Sequence, residues 1–137
     1  MQTAEYIYEL ELKVRDYECD IQGIVNNAVY QNYLEHARHE FLHDSGCDFA
    51  ALHAQGIDPV VIKSVLEYKA PLRSGDVFVV RLALQKDGFV KFNFIEDVYI
   101  KSSNRLALKG IVTCAVTMGG RPVKSDALPA ELQSLMK

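Results

Sequence analysis

The sequence has no apolar run long enough to span a bilayer, and its start, MQTAEYIYELELKV, lacks a basic segment followed by a continuous apolar one. It therefore reads neither as a secretory signal nor as a membrane span, no membrane insertion is expected, and a cytoplasmic location follows by default. Surplus positive charge is missing as well: 15 Lys and Arg against 18 Asp and Glu leave a formal net charge of −3. That argues against general binding to nucleic acid, which needs a basic surface, while leaving room for a local basic patch that meets an anionic group. The three cysteines, at 19, 47 and 114, are odd in number and have no CxxC spacing, so neither a disulfide framework nor a zinc site is suggested. No HExxH accompanies the four histidines; His39 and His43, one helical turn apart, read as an exposed polar helix face, and no metal is expected. Repeats, low-complexity tracts and linkers are absent too.

What is present is the balance of one globular domain over residues 1–137, with 49% hydrophobic and 24% charged residues. Residues Tyr6 to Val14 alternate, with Tyr6, Tyr8, Leu10, Leu12 and Val14 on one side and Glu9, Glu11 and Lys13 on the other, the pattern of a half-buried strand. Tyr30, Tyr33, Leu34, Ala37 and Phe41 then recur at helical spacing, and Gly46 is a plausible stop. From Pro59 the period returns to two. Val60, Ile62, Leu66 and Tyr68 form a second strand and Phe78, Val80, Leu82 and Leu84 a third; KDG marks a hairpin into Val90, Phe92, Phe94, Val98 and Ile100. Leu106, Leu108, Val112, Cys114, Val116 and Met118 make the fifth, and a turn, an extended segment and a short helix follow. The expectation is an α+β domain, one long helix packed on an antiparallel five-stranded sheet. Long strands such as the fourth leave edges that invite pairing with a second copy.

The junction between the first strand and the helix, YECDIQGIVNNAVYQNYLEHAR, carries the functional signal. Asp20 sits just ahead of the first helical turn, whose N–H groups, within Val25 to Ala28, have no intrahelical acceptor. A thioester carbonyl placed there would have its developing oxyanion stabilised, and a carboxylate beside the carbonyl carbon can activate water or attack directly.

These residues resemble the signature of the 4-hydroxybenzoyl-CoA thioesterase-like family of hot-dog-fold proteins: an aspartate, two residues, a glycine, two aliphatics, then a helix bearing tyrosines and ending in a Glu-x-Ala-Arg-like element. YKAPLRSGD and GGRPV extend the similarity over nearly the whole chain. The resemblance implies a central helix wrapped by an antiparallel sheet, homo-oligomers (a dimer or a dimer of dimers, hence a homotetramer), and hydrolysis of acyl-CoA or acyl-carrier-protein thioesters with no cofactor beyond the coenzyme A of the substrate. It places the catalytic carboxylate on Asp20 and the oxyanion-donating N–H on Asn27, with Gly23 allowing close approach to substrate. Asn26 and Asn27 stand where many members have a tyrosine-histidine pair, so imidazole assistance is lacking at that point.

Val25, Asn26, Ala28, Tyr30 and Glu35 are candidate substrate contacts. Tyr30 and Tyr33 also share the apolar stripe and suit a core role, while Glu35 and Arg38 suit an ion pair within the helix. Lys101 and Arg105, at the turn after the fourth strand, are candidate contacts for the phosphates of coenzyme A. Cys19 reads as a packed thiol. Two alternatives stand beside hydrolysis: a hydratase or dehydratase of acyl thioesters, and a non-catalytic module that binds them.

Overall fold

The computed structural model describes residues 5–136. Strand β1 (Tyr8–Lys13) leads through a 3-10 turn at Asp16–Glu18 to helix α1 (Asn27–Asp44) and the short α2 (Phe49–Ala54). Strands β2 (Ile57–Tyr68), β3 (Val77–Asp87), β4 (Lys91–Ile100) and β5 (Arg105–Met118) follow, then the two-residue β6 (Arg121–Pro122), a second 3-10 turn at Ser125–Ala127 and α3 (Ala130–Gln133). The order across the sheet is β1-β3-β4-β5-β2, every neighbour antiparallel, with β6 against β5.

The alternation read from the sequence sets which face is which. Phe78, Val80, Leu82 and Leu84 of β3 and Phe92, Phe94 and Val98 of β4 are buried together with Tyr30, Tyr33, Leu34, Ala37 and Phe41 of α1, so the sheet curls around the helix's apolar stripe. This is the α+β hot-dog arrangement. Closest approach falls at Gly110 of β5: a Cβ there would lie 2.8 Å from the Glu96 carbonyl oxygen and 3.2 Å from side-chain carbons of Leu34 and Leu66. A hydrogen in place of a methyl lets α1 settle onto the sheet.

Two expectations are corrected. The fourth strand leaves no edge, because β3 and β5 flank it; the edges belong to β1 and β2. Nor does β2 alternate as Val60, Ile62, Leu66 and Tyr68. Its register against β5 pairs Val61 with Cys114 and Lys63 with Thr113, leaving Ile62 as a bulge. Parity flips there: Ile57, Pro59 and Val61 face the core side before it, and Ser64, Leu66 and Tyr68 after it, the effect of one extra residue in a strand.

Candidate active site

The turn carrying Asp20 is built as a small antiparallel loop. Cys19 bridges Val25, the Asp20 N–H donates to the Ile24 carbonyl at 2.9 Å, and the Gly23 N–H donates to the Asp20 carbonyl at 3.0 Å. Gly23 takes φ +79°, and a Cβ there would meet nothing within 4 Å, so the space in front of it is open. The Asp20 carboxylate accepts the Gln22 N–H through Oδ1 at 2.8 Å, and its second oxygen has no hydrogen-bond partner among the described residues.

The neighbouring segment is tied down by Glu18. Its carboxylate takes the Tyr33 hydroxyl at 2.8 Å, the Arg15 N–H at 2.8 Å and the Arg15 guanidinium at 3.0 Å, while its carbonyl takes the Asn26 N–H at 3.0 Å. Burial, reinforced by Glu18, raises the Tyr33 phenol and keeps it a donor. Glu18 thus joins the 3-10 turn to both the start and the second turn of α1, a role that sequence reading missed. The one sequence signal is its position three residues after Arg15, the spacing of a capping box.

The donors at the head of α1 sort themselves. The Val25 N–H goes to the Leu72 carbonyl, that of Ala28 to Asn26 Oδ1 at 3.0 Å, and that of Val29 to the Asn26 carbonyl. Among the described residues, only the N–H of Asn27 in this set has no acceptor. Tyr68, from the end of β2, reaches the same place: its hydroxyl donates to the Asn27 carbonyl at 3.4 Å, and its ring packs edge-to-face on Tyr30. Tyr68 was legible as a strand residue but not as a neighbour of the helix mouth.

Of the other expected contacts, Asn26 caps the helix with its side chain, while Val25 and Tyr30, 2% and 3% exposed, lie in the core instead of facing substrate. Around the turn the surface is open, with Tyr17 76% and Ile21 fully exposed. Lys101 is held by Glu11 at 2.6 Å, which raises its pKa, and the Arg105 side chain makes no ion pair among the described residues.

Glu35 and Arg38 do not pair within the helix. Arg38 turns inward, 8% exposed, and its Nη1 bonds Oε1 of the fully buried Glu96 at 2.7 Å. Both positions follow the apolar periodicity, Arg38 between Leu34 and Phe41 on α1 and Glu96 between Phe94 and Val98 on β4, so the pair was readable. Burial pushes Glu96 up to about 8 against the pull of Arg38. Glu35 and His39 meet Arg38 at a cavity of about 160 Å³ whose remaining walls include Leu42, Phe49, Val61 and Phe92. Among the described residues no group of three or more His, Cys, Asp or Glu could hold a metal ion, and no helix is long and apolar enough to cross a membrane.

Residues 14–135 match the sequence profile of the thioesterase-like superfamily. The chain belongs to that superfamily. It is 39% identical over 134 residues to the chloroplastic acyl-acyl carrier protein thioesterase ATL3 of Arabidopsis thaliana, covering 93% of this chain and 66% of that one. It is 33% identical over 129 residues to the long-chain acyl-CoA thioesterase FadM of Escherichia coli, covering 94% and 96%. The chain therefore spans just under two thirds of the plant relative's length. A solved structure from Aquifex aeolicus, 30% identical, superposes with a TM-score of 0.82 over 96% of this chain and all of that one. The matched span takes in both the wrapped helix and the turn that precedes it in this chain.

Proposed function

We propose that this protein hydrolyses acyl thioesters, with coenzyme A or acyl carrier protein as the thiol handle, at the turn between Asp20 and Asn27. One observation carries the reading: among the described residues, an exposed carboxylate with one oxygen unbonded stands in the same loop as a helix-opening N–H that has no acceptor. That N–H polarises the thioester carbonyl, and the α1 dipole adds to the effect. The carboxylate then works by one of two routes, drawing a proton from water or attacking the carbonyl to form an anhydride that water opens. Gly23 keeps the approach clear. Glu18 acts as a positioning residue, holding the turn against α1. Lys101 and Arg105, at the turn between β4 and β5, supply the cationic ends that meet the coenzyme's phosphates.

The site is completed by a second copy of the chain. Strand β2, twelve residues long, pairs with β5 on one side and with no strand among the described residues on the other, and on it Val60, Val61, Ile62, Val65 and Tyr68 are 41–54% exposed. Pairing two such edges continues the sheet and covers apolar surface, and a dimer of dimers extends the same assembly.

Replacing Asp20 by Asn preserves the turn's hydrogen bond to Gln22 and removes the base. Thiol release from a panel of acyl-CoA esters is expected to fall at least a hundredfold; activity within tenfold of the parent would take Asp20 out of the mechanism.

A further inference from the structure

The buried Arg38–Glu96 pair is not used by the chemistry at Asp20, yet it sits at the wall of a cavity. Removing two charged groups from water costs more than the pair's attraction usually returns, so its presence calls for a role other than stability. Only Nη1 of Arg38 has a protein partner among the described residues. Among the described residues, the side-chain atoms that are both sealed and unsatisfied are Glu96 Oε2 and Asp97 Oδ1. The remaining guanidinium nitrogens therefore keep an open side, and Arg38 lines the cavity. Phe94, whose ring centroid lies 5.9 Å from the guanidinium carbon, holds the group in place. Glu35 and His39, both exposed, are the cavity's other polar walls; the rest is apolar, with Cys114 kept as a neutral thiol, raised to about 11 by burial.

The cavity lies in line with the thioester site. Asn27, Gln31, Glu35, Arg38 and Leu42 follow one another at three- and four-residue steps and so share one face of α1. Strand β2 runs alongside in the opposite sense, with Tyr68 at Asn27 and Val61 and Pro59 at the cavity. From Asn27 to Arg38 the helix rises about 16 Å, the span of roughly a dozen zigzag carbons. A cavity of about 160 Å³ is also close to the size that accepts benzene, or a short alkyl segment, in an apolar protein interior of about 150 Å³.

We propose that this cavity is a subsite for the far end of an acyl chain of about ten to twelve carbons that carries a neutral oxygen function, a hydroxyl or a ketone, which accepts a hydrogen bond from Arg38. An unsubstituted alkyl end displaces water from the guanidinium and offers nothing in return. A carboxylate end is disfavoured as well. Glu35 lines the same cavity and Glu96 already holds Nη1 of Arg38, so an anion there would meet acidic side chains on either side of the guanidinium.

The inference rests on the hydrolase reading, and its test separates the two. Hydrolysis of dodecanoyl-CoA, 12-hydroxydodecanoyl-CoA and the mono-CoA ester of dodecanedioic acid is compared in the parent protein and in the double variant Arg38→Met/Glu96→Leu, which removes the pair without orphaning either charge. The parent is expected to favour the hydroxylated ester by about tenfold in kcat/KM. In the variant the two values cross, the hydroxylated ester losing and the plain ester gaining, a pattern that general damage to the fold does not produce. Equal or better use of the plain ester by the parent, or preference for the dicarboxylic ester, overturns the proposal. Calorimetric binding of 12-hydroxydodecanoic and dodecanoic acids gives the same comparison without turnover. If no ester releases thiol, the hydrolase reading falls while the acids still report on the cavity: a hydroxy-acid preference that the variant abolishes upholds the subsite, and equal binding removes it.

Discussion

The two ends of the α1 face that runs from Asn27 to Leu42 treat charge in opposite ways. At the mouth, Asp20 is exposed, held by one short hydrogen bond, and set in a turn whose geometry comes from its own backbone. At the cavity, Arg38 and Glu96 are buried, come from different elements 58 residues apart, and depend on each other. A carboxylate in water is cheap to keep ionised and easy to replace. One sealed in the core is costly to charge and hard to remove. The molecule thus keeps one carboxylate open to solvent, where the proposed hydrolysis needs it, and the other where only the fold can reach.

Breaking one partner at each end should expose that difference. Arg38→Ala strands Glu96 and is expected to destabilise the fold by about 3–5 kcal/mol in urea or thermal unfolding, whereas Arg38→Met/Glu96→Leu restores much of that loss. Asp20→Asn should leave unfolding unchanged within about 0.5 kcal/mol. A stable Arg38→Ala would show that Glu96 is not closed off from water.

A smaller effect sharpens the contrast through pH. Folding raises Glu96 from an ordinary value of 4.5 to about 8, so over that interval the folded state holds a proton that the unfolded state has released. Stability is therefore greatest below about 4.5 and declines as pH rises toward 8 from this group. In Glu96→Gln this part of the decline should vanish from unfolding curves measured at successive pH values. An unchanged slope would assign the dependence to other groups.

The smallest expected change is at the mouth. Asn26→Ala removes the cap on the Ala28 N–H and should cost about 1 kcal/mol of stability. It also frees a second donor beside Asn27, so turnover should shift more than this modest loss of stability accounts for. Activity that simply tracks the folded fraction would show that the cap does not tune the donors.

Much of this was legible before any coordinates. The curled sheet and central helix follow from two clean periodicities, and the placement of Asp20 before the helix follows from the motif around Gly23. What remained hidden has physical reasons. Glu18 and Tyr68 gain their roles only where the chain folds back, through Tyr33 in one case and the Asn27 carbonyl in the other. Arg38 and Glu96 stood in plain view at core-facing positions, but reading only apolar residues into a stripe passes over a charged pair that satisfies itself inside. The strand order was not legible, since local alternation says nothing about which neighbour a strand will find.

The bulge at Ile62 reaches further than its single residue. Because parity inverts there, both halves of β2 present suitable side chains to α1: Pro59 and Val61 beside Leu42, and Leu66 and Tyr68 toward Asn27. Were Ile62 taken into a regular ladder instead of a bulge, registering the second half would turn Asp58 and Val60 inward, and an acid would replace aliphatic wall at the deep end. One inserted position thus lets a single strand serve as doorpost at one end and lining at the other.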